Sequence, residues 1–133
     1  MARPASEYPT ELELQILKLL WEDSPRTVRE IRDGLAENGR DLAHTSVITS
    51  MGTMVEKGQL EKLPPESGKA FRFAPLIEQE DVSKGMLGDL VDRVFDGSTE
   101  TLMLNLFDLQ DLEEAEIKRL RKLLNQKLRE QQS

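Results

Sequence analysis

Between Arg40 and Arg72 the sequence sets short hydroxyl side chains and separated cations at spacings suited to gripping a polyanion. Thr45, Ser46, Thr49, Ser50 and Thr53 fall within HTSVITSMGTMVE, where at helical spacing they share one side with Gly52 while Val47, Met51, Met54 and Val55 share the other. A hydroxyl can donate to a phosphate oxygen or a base edge, and a threonine methyl can pack on a thymine methyl. Arg40 ahead of this stretch, and Lys69 and Arg72 after it, add charges suited to phosphates. The plainer reading of each residue is a solvated side chain, since Ser and Thr are ordinary on exposed helix faces. Bond-breaking chemistry finds no comparable set. With one histidine, His44, and no cysteine, the sequence offers no Ser/His/Asp or Cys/His arrangement, no closed zinc site and no glycine-rich phosphate loop. We therefore expect no enzyme, no cofactor and no bound metal.

The elements that must hold these residues are marked by their boundaries. Thr10 with Glu13, and Thr27 with Glu30, are spaced as capping boxes. The first opens a helix over about residues 10–22, with Leu14, Ile16, Leu17, Leu20 and Trp21 on its apolar side and Trp21 expected in the core. Asp23-Ser24-Pro25 stops it, and the second box opens a shorter helix, carrying Val28, Ile31 and Leu35, that ends near Asn38-Gly39. Asp41 to Ala43 is the turn, and a third helix runs from about His44 to Gly58. Leu60 and Leu63 read as a strand ended by Pro64-Pro65, Ser67-Gly68 turn the chain, and Phe71 and Phe73 flank Arg72 on the return, both rings expected against the helices. A helix-turn-helix followed by such a hairpin is the pattern of a winged helix, whose last helix enters a DNA groove while the hairpin touches the flanking backbone.

Beyond Pro75 the composition turns to helix formers, giving expected helices over 79–95, 99–107 and 111–129. In the last, Leu112, Ile117, Leu120, Leu124 and Leu128 form a stripe on a charged cylinder. Three such helices have little of their own chain to bury against, so pairing with a second copy is the economical cover. The expected fold is mainly α with a small β wing: a winged helix-turn-helix DNA-binding domain over 8–76 and a C-terminal helical dimerisation arm over 77–133.

The stretches PTELELQILKLLWEDSPRTVREIRDGL, DLAHTSVITSMGTMVEKGQLEK and ETLMLNLFDLQDLEEAEIKRLRKLLNQ, in this order over about residues 8–128, resemble the penicillinase-repressor (BlaI/MecI) family of bacterial transcriptional regulators. The resemblance implies a homodimeric repressor that reads a palindromic double-stranded operator with the third helix, at positions matching Thr45, Ser46, Thr49, Ser50 and Thr53, and dimerises through the arm. It also implies a sensor-linked protease that cuts the arm between Asn and Phe. The matching bond here is Asn105-Leu106, with Leu in place of Phe and Phe107 one residue later. Many relatives carry Arg or Lys where this chain has Gly52 and Thr53, a departure that removes a usual source of phosphate affinity.

Charge bears on the same question. Lys and Arg number 18 against 25 Asp and Glu, a formal net charge of −7, whereas a nonspecific polyanion binder should be basic. The excess acid lies mainly in the arm: residues 24–75 hold eight basic and seven acidic side chains, residues 76–133 eight and thirteen. The acidity also keeps open a different class of protein, a winged-helix interaction adaptor or anti-repressor with little DNA affinity. No signal peptide or long apolar run is evident, so we expect a cytoplasmic protein that works away from membranes.

Overall fold

A computed structural model describes residues 8–68 and 70–132. Both capping boxes form. Thr10 Oγ1 accepts the Glu13 N–H at 3.2 Å while Glu13 Oε1 accepts the Thr10 N–H at 3.0 Å, opening α1 (Glu11–Glu22). Thr27 and Glu30 make the same exchange at 3.2 and 2.8 Å and open α2 (Val28–Glu37). After α2, and again after α3 (His44–Glu56), the last carbonyls are closed by a glycine at positive φ, Gly39 at 88° and Gly58 at 81°. The N–H groups of Gly39 and Arg40 reach the Ala36 and Leu35 carbonyls, and those of Gly58 and Gln59 reach Val55 and Met54. This double closure needs a left-handed residue, which glycine adopts without strain.

The wing is β2 (Leu60–Leu63) paired antiparallel with β3 (Arg72–Pro75), with Lys62 opposite Phe73 and Leu63 opposite Arg72. A third strand joins them that the sequence pattern did not suggest. β1 (Arg26–Thr27) pairs with the other edge of β3, Arg26 opposite Phe73, so the sheet order is β1-β3-β2. Its two residues are too few to show alternation. They are extended because Thr27 is the extended N-cap of α2, and that conformation lays their backbone along β3.

The chain forms two compact units, one through Leu87 and one from Gly88, the division falling inside α4 (Gln79–Val94), whereas the composition changes at 76/77. In the first unit Ile16, Leu17 and Leu20 of α1, Ile31 and Leu35 of α2, and Val47, Met51 and Met54 of α3 close on Leu60 and Phe73 of the sheet. α1 and α2 approach closely at Gly34, where an added Cβ would stand 3.0 Å from Leu19 Cδ1. Trp21 lies at the margin of this core and donates its indole N–H to the Ile77 carbonyl at 2.9 Å, pinning the chain that leaves the wing to the end of α1. Only one phenylalanine of the return strand joins the core. Phe73 is buried, but Phe71 is 48% exposed, contrary to the expectation for both, because it stands outside the ladder and packs under the Lys62 ammonium, 4.3 Å from the ring centroid.

Glu13 does more than cap. It is 6% exposed; its Oε2 accepts Lys57 Nζ at 2.8 Å and its Oε1 accepts the Gln59 amide at 3.4 Å. Burial pushes its carboxyl up, but the Lys57 ammonium, the Thr10 N–H and the Gln59 amide outweigh that and hold it below its ordinary value. The ionised carboxylate thus ties the start of α1 to the end of α3 and the approach to β2.

In the second unit Ser98 caps α5 (Thr99–Leu109), its Oγ accepting the Thr101 N–H at 3.1 Å, and α6 (Glu114–Gln132) follows a short turn. Leu112 precedes α6 instead of standing on it, because the helix starts at Glu114 and not at Asp111. No described residue of this unit is buried.

A pH dependence follows from Glu13. Its folded pKa lies below the unfolded one, so the stability it contributes is complete above the ordinary carboxylate range and is lost as pH falls through the lower folded value. Glu13→Gln should flatten that acid limb and lower neutral-pH stability by about 1.5 to 3 kcal/mol, the range for a hydrogen bond to a charged group. Urea unfolding at stepped pH measures both. An acid limb identical in variant and parent would place the pH dependence elsewhere.

Candidate nucleic-acid interface

α3 has two unlike faces. Val47, Met51 and Met54 are buried on one, and Thr45, Ser46, Thr49 and Thr53 are exposed on the other, with Ser50 half-buried at the shoulder. Thr53 Oγ1 donates to the Thr49 carbonyl at 3.1 Å, so its hydroxyl proton is committed within the helix and it presents lone pairs and a methyl outward. The helix start differs from those of α1 and α2. Its N-cap is Ala43, which makes no side-chain cap hydrogen bond, and no acidic residue occupies the first turn. The Ser46 N–H turns back to the Ala43 carbonyl at 3.0 Å, so the His44 and Thr45 N–H groups and the positive end of the helix dipole are what this start offers beside the hydroxyl face, an arrangement that can receive an anion such as phosphate.

One exposed residue escaped the sequence reading. Ile48 is 46% exposed and stands among Thr45, Thr49 and Gly52, an apolar side chain on the polar face. Its signal was present in the sequence, because position 48 lies one residue and so about 100° around the helix from Val47, off the buried stripe.

The basic candidates are less free than their sequence suggests. Arg40 Nη1 donates to Gln15 Oε1 at 3.1 Å and stands 3.8 Å from Glu11 Oε1, holding the turn before α3 onto α1. Arg72 donates through Nε and Nη2 to the Pro64 carbonyl at 3.4 and 3.2 Å, clamping the two arms of the hairpin and leaving Nη1 for an outside partner. Lys69 lies outside the described residues. The fold thus gathers the hydroxyl set on one helix, sets Arg40 at its entrance and puts Arg72 on the wing, with the two arginines also serving as ties. Among the described residues no group of three His, Asp or Glu side chains is placed to hold a metal ion. No described helix is long and apolar enough to cross a membrane.

In the second unit the expected stripe is exposed at Ile117, Leu120, Leu124 and Leu128, joined by Leu123. Met103, Leu106 and Phe107 of α5 face Leu120, Leu123 and Leu124 of α6 across an apolar groove of about 360 Å³. Asn105 is exposed on α5 and its amide donates to the Thr101 carbonyl at 2.8 Å, so the Asn105-Leu106 bond lies inside a formed helix.

Comparison with known proteins gives a consistent set. Residues 9–126 match the penicillinase repressor family. The methicillin resistance regulatory protein MecI of Mammaliicoccus sciuri is 24% identical over 115 residues, which cover 86% of this chain and 91% of that protein. The penicillinase repressor of Bacillus licheniformis is 22% identical over 117 residues, covering 88% and 89%. Among solved structures, that of an hsRosR-S4 complex superimposes with a TM-score of 0.52 at 19% identity over 90% of this chain and 89% of the other, a likeness of fold.

The Arg72 clamp predicts a local effect. Arg72→Lys keeps the charge but loses the planar fork that reaches Pro64, so amide hydrogen exchange in β2 and β3 should accelerate while the core amides of α1 to α3 hold their protection. Unchanged exchange in the wing would show that the hairpin needs no clamp.

Proposed function

The chain belongs to the penicillinase repressor family of transcriptional repressors, which are not enzymes, and from that membership we propose that it acts as a homodimer on a palindromic double-stranded DNA operator in the cytoplasm. The observation that carries this reading is the division of α3, buried through Val47, Met51 and Met54 and open through Thr45, Ser46 and Thr49, between a helix-turn and a wing. In it, the hydroxyls of Thr45, Ser46 and Thr49, with Ser50 and Thr53 at the edge, meet base edges and phosphates. The uncapped start of α3 takes a phosphate, and Arg40, Lys69 and the Nη1 side of the Arg72 guanidinium contact the flanking backbone.

Dimerisation is supported by the second unit. Its helices expose Leu104, Leu106, Phe107, Ile117, Leu123 and Leu124 and bury no described residue, a state in which such apolar area remains in water until another surface covers it. A second copy offers the same stripe through a two-fold axis. Holding two half-sites at once raises effective concentration enough to strengthen operator binding by a factor of about 10² to 10⁴. That gain is what a sensor-linked protease would remove by cutting Asn105-Leu106. The bond lies in α5, so the cut requires local opening of that helix, and it severs α6 from the DNA-binding unit.

Three measurements test the reading. Affinity for the operator should fall with salt at a log–log slope of about −6, for some three or four phosphates per subunit at roughly −0.9 each. No salt dependence would favour the adaptor. Ser46→Ala with Thr49→Ala should weaken specific binding by about 0.5 to 1.5 kcal/mol per lost hydrogen bond with unchanged melting, since both side chains are exposed. Leu120→Asp with Leu124→Asp should sediment as a monomer near 15.2 kDa with native helical content and reduced operator affinity. A variant that stays dimeric moves the interface off α6.

A further inference from the structure

We infer that Ile48 is a specificity residue that selects thymine in each operator half-site by packing on its 5-methyl group, an inference resting on the reading of α3 as the DNA-contacting helix. Ile48 is the fifth residue of α3 and 46% exposed, and the N-terminal residues of such a helix are the ones that reach base edges. Ile48 is not part of the core, whose contacts with α3 come from the buried Val47, Met51 and Met54 and the half-buried Val55. A branched side chain of this kind also lowers helix propensity slightly, so neither packing nor local preference accounts for it. The chemistry on offer outside is narrow. Phosphates, sugars and most base edges present polar atoms, and the apolar feature of the major groove is the thymine methyl. An isoleucine held among Thr45 and Thr49 therefore discriminates where the hydroxyls alone would be tolerant.

Gly52 supports the same geometry. It lies one turn beyond Ile48 on the exposed face, and a Cβ added there would meet nothing within 4 Å, so no intramolecular contact calls for glycine. A glycine in an exposed helix interior lowers stability by about 1 kcal/mol relative to alanine. What the missing side chain gives is room beside Ile48 for an approaching methyl group or sugar edge.

The test uses the full chain and its preferred duplex, selected from a random pool. Thymine should recur at a fixed position in each half-site, and replacing it by uracil, which removes only the methyl, should weaken binding about fourfold per half-site, the effect of one buried methyl-sized group. Ile48→Ala and Ile48→Ser should each bind the thymine and uracil duplexes equally, with melting unchanged. A preferred operator that the parent chain binds equally with uracil at every position overturns this inference and leaves the repressor reading standing, as does a uracil penalty that persists in both variants. A selection that returns no preferred sequence overturns the repressor reading and this inference with it.

Discussion

α3 has to close the core of a small domain with one side and meet its surroundings with the other, and the rest of the first unit is arranged around that constraint. Val47, Met51 and Met54 lie fully buried against α1, α2 and the sheet, which fixes the rotation of the helix about its own axis. Once that rotation is set, Thr45, Ile48, Thr49 and Gly52 must face outward, whatever they do there. Propensity alone would not choose such a helix, since β-branched residues, serines and a glycine are poor formers, so tertiary packing of its apolar stripe has to hold it.

The ends of α3 are secured unequally, and the inequality suits a reading helix. At its C-terminus Gly58 closes the last carbonyls while Lys57 and Gln59 reach the buried Glu13 carboxylate, joining α3 to α1 with charge-assisted bonds. At its N-terminus Arg40, in the preceding turn, reaches back to α1, Leu42 packs against the core, and the helix start has no side-chain cap. Trp21 and Arg72 complete the frame, one holding the chain after the wing and the other the mouth of the hairpin. One end is thus tied to α1 through Glu13 and the other keeps N–H donors beside the hydroxyl face, where the proposed reading brings the nucleic acid.

Much of this was legible in the sequence because the signals were local. Thr10-Glu13 and Thr27-Glu30 announced two helix starts, Gly39 and Gly58 two helix ends, and the spacing of Val47, Met51 and Met54 the buried face of α3. What was not legible depended on residues far apart in the chain. Nothing near Glu13 reveals that Lys57 and Gln59 will reach it, nor does Trp21 announce a carbonyl at Ile77. β1 was too short for periodicity, and Phe71 shares the alternation of Phe73 but stands beyond the ladder that puts Phe73 against the core. The two arginines looked like free cations, and their ties to Gln15 and Pro64 appear only once the fold brings those partners near.

The acidic balance of the chain sets a boundary on how it can bind DNA. A formal charge of −7 gives the chain as a whole no general attraction to a duplex, so the proposed operator binding rests on a defined set of contacts, repeated in the proposed dimer. DNase footprinting on the chain's own upstream DNA is the most direct measurement of that. The prediction is two protected half-sites of related, inverted sequence on one face of the duplex, their centres about 10 base pairs or a multiple of that apart. No protection, or protection of one unrepeated site, would contradict a dimer reading a two-fold operator with α3.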